Sequence, residues 1–330
     1  MSLRARLGLG LVAALAVLLM LLATMRAGSW DSDYATVRAR HAAPPSRFIR
    51  IDGVDLHIRD EGTGPPVVML HGSIVNLHEW DAVVERLRSR FRIIRIDWPP
   101  YGVSGPDPHG IYTTARAADL LAGLIDRLAL PAFSVVATSN GANVALEYNA
   151  RYPGRIAAMA LSVLPLERPS QTRKVDGRIR LLGWLHSQFL PDYHSRYWYR
   201  LILEDTSSPG FVPTEEFIDS LYATNNLPGA ARRQRAYIDS NTRLFKTTDV
   251  GAVAEKVTVP VLLQWCELDT VISQTAERSI ARFRNAPVTL IRYPQLGHFP
   301  MLEDPELFAA DLAKFLRANA PPIDAAATAQ

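Results

Sequence analysis

The sequence predicts an α/β protein whose core is a doubly wound, mostly parallel sheet of eight strands with a helical insertion. With 330 residues, of which 48% are hydrophobic, the chain has enough apolar material for such a core. Eight short apolar segments have strand length, and most of them alternate with helical patterns, which is typical of a parallel sheet. The alternation stops over residues 164–256, and this stretch is too long for an ordinary connection, which favours a separate helical subdomain.

The predicted strands differ in their burial. Residues 48–51 and 54–58 alternate apolar and polar side chains around the turn pair Asp52-Gly53, which is typical of a hairpin. Residues 66–70 are continuously apolar, which indicates a strand buried on both faces. Five further strands are predicted at 92–96, 133–137, 156–163, 259–264 and 288–291. Helices are predicted at 79–90, 113–130, 141–152 and 305–317.

An apolar segment precedes the predicted core. It runs over residues 7–25 and as a helix would be about 28 Å long, enough to cross a bilayer. Because Arg4 and Arg6 precede it, the positive-inside rule places the N-terminus in the cytoplasm and the rest of the chain in the periplasm or the exterior. We therefore predict a transmembrane anchor over 1–25 and a polar linker over 26–46. A cleaved signal peptide, which would leave a secreted protein, is the alternative.

The remaining domain boundaries follow from the same patterns. The α/β core comprises residues 47–163 and 257–318, residues 164–256 form a helical cap, and residues 319–330 form a flexible tail. The cap is rich in aromatic side chains, among them Trp184, Phe189, Tyr193, Tyr197, Trp198, Tyr199, Phe217 and Tyr222. Because so many aromatic side chains need apolar surface to cover, we expect the cap to lie over one edge of the sheet and to line a pocket there.

Composition excludes several classes of function. The net charge of +3 arises from 36 basic and 33 acidic residues that are mixed along the chain, so no basic stripe indicates binding of nucleic acid. The single cysteine, Cys266, excludes an internal disulfide and an all-cysteine metal site, and we expect its thiol to be a small core residue. No metal or organic cofactor is predicted, and the oligomeric state is left open.

Ser139 is the candidate nucleophile. It lies in the run Ala137-Thr138-Ser139-Asn140-Gly141, between a predicted buried strand and a helix, where the small residues at 137 and 141 allow a sharp turn. Such an elbow exposes the serine hydroxyl at the carboxyl edge of the sheet. The amide of Asn140 would then lie at a helix N-terminus, where developing negative charge is favoured. The alternative is that Ser139 only caps the helix.

A second loop at the same edge could complete an anion-binding site. His71-Gly72-Ser73 follows the strand that ends at Leu70, and a tight turn there could aim the amide of Ser73 or Ile74 toward Ser139. A turn-rich loop over residues 97–104 also reaches this edge, and we interpret it as a structural turn.

An acid and a base follow near the C-terminus. Asp269 comes just after a strand, and His298 follows the last strand in a loop whose Gly297 allows the histidine to fold back over the sheet. Glu267 is the nearby alternative acid, and we expect it to lie at the surface or behind the site. The chain order is therefore nucleophile, acid and base.

In these motifs and their order the chain resembles the α/β-hydrolase family over residues 48–316. It looks most like the capped group that includes small esterases, lipase-like enzymes, carbon–carbon bond hydrolases of aromatic breakdown and cofactor-free haloperoxidases. The resemblance implies that Ser139 is the nucleophile, Asp269 the acid and His298 the base. It also implies that the amides of Asn140 and Ser73 are the oxyanion donors.

The chain departs from the family pattern at a few positions. Ala137 and Thr138 stand where glycine and histidine are common, and Pro100 and Cys266 stand where glycine is common. None of these differences removes a reacting group.

The resemblance implies acyl transfer to water, without a cofactor. We expect the substrate to be a small to medium hydrophobic carboxylic ester. Cleavage of a carbon–carbon or amide bond by the same triad is the second hypothesis, and a non-catalytic binding protein on this fold is the third, because fold does not fix function. Ser139 stands where relatives that open epoxides or remove halide use a carboxylate, which argues against both of those activities.

Overall fold

The computed structural model describes residues 3–26, 33–168 and 173–321. The described residues contain one sheet of eight strands, in the order β1-β2-β4-β3-β5-β6-β7-β8. The strands are β1 (Ser46–Ile51), β2 (Val54–Glu61), β3 (Pro66–Leu70), β4 (Arg92–Asp97), β5 (Phe133–Thr138), β6 (Ile156–Ser162), β7 (Val261–Cys266) and β8 (Val288–Tyr293). Strand β2 runs antiparallel to both neighbours and the other neighbouring pairs are parallel, which confirms the predicted fold class.

Twelve α-helices occur in the described part of the chain. They are α1 (Leu3–Arg26), α2 (Tyr34–His41), α3 (Asp81–Leu87), α4 (Thr114–Arg127), α5 (Asn140–Arg151), α6 (Gly177–Phe189), α7 (Arg196–Thr206), α8 (Glu215–Asn225), α9 (Ala230–Thr247), α10 (Ala276–Ile280), α11 (Pro300–Glu303) and α12 (Pro305–Asn319). The predicted helix over 79–90 is instead a short 3-10 turn, Leu77–Trp80, followed by α3. The side chain of Asn76 accepts a hydrogen bond from the amide of His78 and so starts that turn.

The sheet is covered on both faces, which explains why its central strands are apolar throughout. In β5 the side chains of Val135 and Ala137 pack with α4 and α5, whereas Val136 packs on the opposite face with α3 and α12. Because successive side chains of a strand point to opposite faces, a strand between two helical layers must be apolar at every position. The carboxyl ends of the parallel strands then form one edge that carries the candidate site.

The structure differs from the predicted linker over 26–46. Helix α2 lies within it, and the side chain of Asp33 caps the helix by accepting a hydrogen bond from the amide of Thr36 (2.8 Å). Val37 is 2% exposed and packs with a cluster that includes Val103 and Leu227, so the folded domain begins near Asp33. Composition did not predict this helix because it carries a single buried residue among polar ones.

Helix α1 has the length and composition of a membrane-spanning helix. Its segment Arg6–Met25 has 20 residues and a mean hydropathy of 2.6, and none of it is buried against the rest of the described chain. A membrane anchor and a signal sequence both fit these properties.

The insertion between β6 and β7 is helical, and no strand occurs in its described residues 173–256. Helices α6 to α9 and a 3-10 turn, Val250–Lys256, make up this part, which we call the cap. Three aromatic side chains expected to be covered are exposed instead: Trp184 is 55%, Tyr197 is 48% and Phe189 is 43% exposed. Trp198 stacks near His194, with 4.3 Å between ring centroids, inside the cap itself. The predicted tail begins at the end of α12, and its residues 322–330 lie outside the described part.

Candidate active site

Ser139 lies at the junction of β5 and α5 in a strained backbone conformation. Its φ of 49° and ψ of −130° are rare for a residue with a side chain. Gly141 makes the tight turn possible, because a Cβ at that position would lie 2.4 Å from the carbonyl oxygen of His71. The Ser139 side chain does not cap α5, which removes the alternative of a capping serine, and no hydrogen bond among the described residues engages its hydroxyl.

The loop after β3 passes directly over this serine. A Cβ added to Gly72 would lie 3.3 Å from the Cβ of Ser139, so glycine allows the close approach. The side-chain amide of Asn140 donates a hydrogen bond to Ser73 Oγ (2.9 Å), which joins the two segments predicted to supply oxyanion donors. As the first residue of α5, Asn140 also has a backbone amide without an acceptor within the helix. The structure therefore brings Ser73, Asn140 and Ser139 together.

The carboxylate of Asp269 meets the imidazole of His298. The distance from Asp269 Oδ2 to His298 Nδ1 is 2.8 Å, and the two side chains are 4% and 8% exposed, respectively. The other oxygen, Oδ1, accepts hydrogen bonds from the amides of Val271 (2.7 Å) and Ile272 (3.2 Å). Burial alone would raise the pKa of Asp269, but the charge and hydrogen bond of His298 and the two amides outweigh it and lower that pKa. A carboxylate held in this way can orient the imidazole and stabilise its protonated form.

The loop that carries His298 is fixed by backbone contacts that the sequence did not reveal. The amides of Gly297 (2.8 Å) and Phe299 (3.0 Å), which flank the histidine, both donate to the carboxylate of Glu303. The amide of His298 itself donates to the carbonyl of Thr206 in the cap (2.9 Å). The only signal for Glu303 was its place five residues after the histidine, which alone predicts nothing specific.

The remaining candidates have structural surroundings. Asp97 is buried, accepts hydrogen bonds from the amides of Leu77 (2.8 Å) and Val103 (2.9 Å) and lies 2.7 Å from His57 Nδ1, which supports a structural role for this turn. Burial alone would raise the pKa of Asp97. The charge and hydrogen bond of His57, together with its other partners, outweigh burial and lower that pKa to about 2. Glu267 points outward and pairs with Arg292, with side chains 38% and 39% exposed, respectively.

Cys266 is buried, as expected for a core residue, and burial raises the pKa of its thiol far above the usual value. A cavity of about 290 Å³ lies beside it and is lined also by Asp269, Gln274 and Arg292, but not by Ser139 or His298. Ser139 and His298 are only 9% and 7% exposed, so the cap and the neighbouring loops cover them in this conformation. No cluster of metal-ligating side chains occurs among the residues that the structure describes.

Comparison with known proteins identifies the family of this chain. A model of the α/β hydrolase family matches residues 67–311. A pimeloyl-(acyl-carrier protein) methyl ester esterase of Nitrosomonas europaea is 27% identical over 266 residues, which cover 77% of this chain and 97% of the relative. A 2-(acetamidomethylene)succinate hydrolase of Mesorhizobium japonicum is 24% identical and covers 83% of this chain and 95% of its own length.

Among solved structures, that of a membrane phospholipase A, described as a bacterial virulence factor, superposes with a TM-score of 0.66. It is 20% identical and covers 95% of this chain and 98% of its own length, so the likeness extends to the fold alone. The match of the family model over most of the chain, together with its hydrolase relatives, shows that this chain belongs to the α/β-hydrolase family and is a hydrolytic enzyme.

Proposed function

We propose that this hydrolase cleaves small to medium hydrophobic carboxylic esters through an acyl-enzyme intermediate on Ser139. The observation that carries the proposal is the hydrogen bond between Asp269 and His298, which lie in the loops after the neighbouring strands β7 and β8, at the sheet edge where Ser139 occupies a strained elbow. The chain order and the Asp269–His298 contact support a catalytic triad, in which the base activates the nucleophile and the acid orients the base. No cofactor takes part in this chemistry.

The reaction proceeds in two halves. In the first, His298 accepts the Ser139 proton, the serine oxygen bonds to the ester carbonyl carbon, and the alcohol leaves with the proton returned by His298. In the second, water loses a proton to His298 and attacks the acyl-enzyme, which releases the carboxylic acid and restores Ser139. Asp269 holds the histidine through Nδ1, so that Nε2 is the atom that exchanges protons.

The oxyanion of each tetrahedral intermediate is assigned to the backbone amides of Asn140 and Ser73. The helix N-terminus favours negative charge at Asn140, and the contact of Gly72 with Ser139 brings the second loop within reach. The cap and loops that cover Ser139 exclude water, so the local dielectric constant is low. A low dielectric constant strengthens the interaction of the oxyanion with both amides.

A substrate series tests the proposed ester specificity. We expect p-nitrophenyl esters of short to medium acyl chains to be hydrolysed with a higher kcat/KM than charged esters, because apolar side chains of the cap, such as Leu203 and Phe217, pack in one cluster with Phe299, next to His298. A matched anilide and a vinylogous diketone should react much more slowly. Faster turnover of the anilide or the diketone would show that the preferred reaction is amide or carbon–carbon bond cleavage and not ester cleavage.

We further propose that α1 anchors the enzyme in a membrane, with the catalytic domain in the periplasm or outside the cell. The length and hydropathy of Arg6–Met25 support this, as do the basic residues Arg4 and Arg6 at its N-terminal end. The full chain should sediment with membranes and resist extraction by alkaline carbonate, whereas protein that begins at Asp33, and so keeps α2, should be soluble and active. Recovery of the natural protein as a soluble form that begins near residue 27 would show a cleaved signal peptide instead.

A further inference from the structure

The loop that carries Ser73 contains a backbone conformation that the loop cannot hold alone. Ile74 has a φ of +64°, and a β-branched side chain rarely adopts this left-handed region. Such strain persists only where the surrounding structure enforces it. Ile74 directly follows the candidate oxyanion donor Ser73, so whatever enforces its conformation also sets the position of that donor.

One contact that holds Ile74 comes from the cap. The side-chain amide of Asn225, the last residue of α8, donates a hydrogen bond to the carbonyl oxygen of Ile74 (2.7 Å). Asn225 is 1% exposed, and its own oxygen accepts a hydrogen bond from Gln234 Nε2 in α9 (2.6 Å). Because the carbonyl oxygen of Ile74 can only accept, the NH₂ group of Asn225 must face it, and the oxygen of Asn225 then faces Gln234.

The other side of the loop is held by the core. Asn140 donates to Ser73 Oγ, and Gly72 lies against Ser139, so the segment before Ile74 is tied to the nucleophile elbow. The segment after it is tied to the cap through Asn225. Further along the loop the side-chain amide of Asn76 donates to Ser220 Oγ in α8 (2.7 Å), so Asn225 is the attachment to the cap that acts on Ile74 itself.

We propose that Asn225, oriented by Gln234, is a positioning residue for the reaction: it holds the Ile74 carbonyl so that the oxyanion donor of the same loop is preorganised. This role rests on the proposed ester hydrolysis. Asn225 acts through the loop and contacts no reacting atom. The cap thereby takes part in stabilising the transition state in addition to covering the site.

The neighbouring Asn226 supplies a matched control. It is 3% exposed and belongs to the same cap, but its side chain bonds the carbonyls of His194 (3.0 Å) and Tyr222 (2.8 Å) and does not reach the loop. Replacing either asparagine removes buried hydrogen bonds of the cap, yet only Asn225 contacts Ile74. A difference between the two variants therefore reports positioning and not general damage to the cap.

The test compares the full-length wild type with Asn225→Ala, Asn226→Ala and Gln234→Met, using the best ester for kcat and KM and a trifluoromethyl ketone for affinity to the tetrahedral state. Removal of an oxyanion donor typically lowers kcat by about 10² to 10³. We expect Asn225→Ala to lower kcat by roughly 10- to 100-fold with little change in KM, and to weaken ketone binding by a similar factor. Gln234→Met, which keeps most of the side-chain volume, should have a smaller effect of the same kind, and Asn226→Ala should change kcat by less than about 3-fold.

Equal losses for Asn225→Ala and Asn226→Ala, or an effect on KM alone, would overturn the positioning role while leaving ester hydrolysis in place. If Asn225→Ala does not fold, an unchanged kcat in Gln234→Met would overturn it. Wild-type protein that neither hydrolyses esters nor binds the ketone would overturn the proposed function and this role with it.

Discussion

Replacing Ser139 by alanine is expected to lower kcat by on the order of 10⁴-fold or more, because the acyl-enzyme cannot form. His298→Ala should cost about as much, since an unactivated serine is a weak nucleophile. Both variants should fold, because both residues lie on turns at the edge of the sheet and not within strands or helices. Ser139→Ala should unfold at nearly the wild-type temperature, whereas His298→Ala should unfold at a lower one because it leaves the buried carboxylate of Asp269 without its imidazole partner. Steady-state kinetics and thermal unfolding of the purified variants measure both expectations.

Two comparisons sharpen this prediction. Ser134, a buried serine of β5 whose hydroxyl has no hydrogen-bond partner among the described residues, is the matched control, and Ser134→Ala should retain wild-type turnover. The double variant of Ser139 and His298 should be no worse than either single variant, because the two groups act as a unit. Additive losses would show that the two residues act separately and would contradict the proposed mechanism.

The second large effect is expected for the acid. Asp269→Asn should lower kcat by on the order of 10³- to 10⁴-fold, because an amide at this position favours the wrong tautomer of His298. Glu267→Gln is its control: Glu267 pairs with Arg292 at the surface, so its loss should change kcat by less than about 2-fold. A greater loss for Glu267→Gln than for Asp269→Asn would show that the acid has been assigned to the wrong residue.

The lowered pKa of Asp269 also fixes the direction of a pH effect on stability. A carboxyl group whose pKa is lower in the folded than in the unfolded state stabilises the fold above its unfolded pKa, and this contribution is lost as the pH falls through the folded value. For Asp269 the unperturbed value is 3.8. The contribution of Asp269 to the unfolding free energy, measured as the wild-type value minus the Asp269→Asn value, should therefore decrease as the pH falls below about 4.

The fold and the candidate residues were predictable because their signals are local. Each strand of the sheet is a short run of apolar residues or of alternating apolar and polar residues, and Ser139, Asp269 and His298 each follow a strand at a turn marked by glycine or by polar residues. The meeting of Asp269 with His298 follows from topology, since β7 and β8 are parallel neighbours and their carboxyl ends lie side by side. Sequence patterns of this kind specify which edge a residue occupies.

The contacts that hold the site in place were not predictable, because they join residues far apart in the chain. Asn225 and Ile74 are 151 positions apart, and nothing near either residue indicates the other. Helix α2 was missed for a related reason: its stability depends on Val37 packing against Val103 and the cap, and its own composition is polar. For Trp184 the composition predicts burial because the residue is aromatic, but its ring is exposed, so an aromatic residue in an insertion need not be buried.

Labelling with a fluorophosphonate probe tests the central claim most directly, because the probe reacts only with an activated serine. The full-length protein should be labelled stoichiometrically at Ser139, as located by mass spectrometry of the digested protein. Labelling should be lost in Ser139→Ala, strongly slowed in His298→Ala and unchanged in Ser134→Ala. Absence of labelling in the folded wild type, or a label on another serine, would contradict the assignment of Ser139 as the nucleophile.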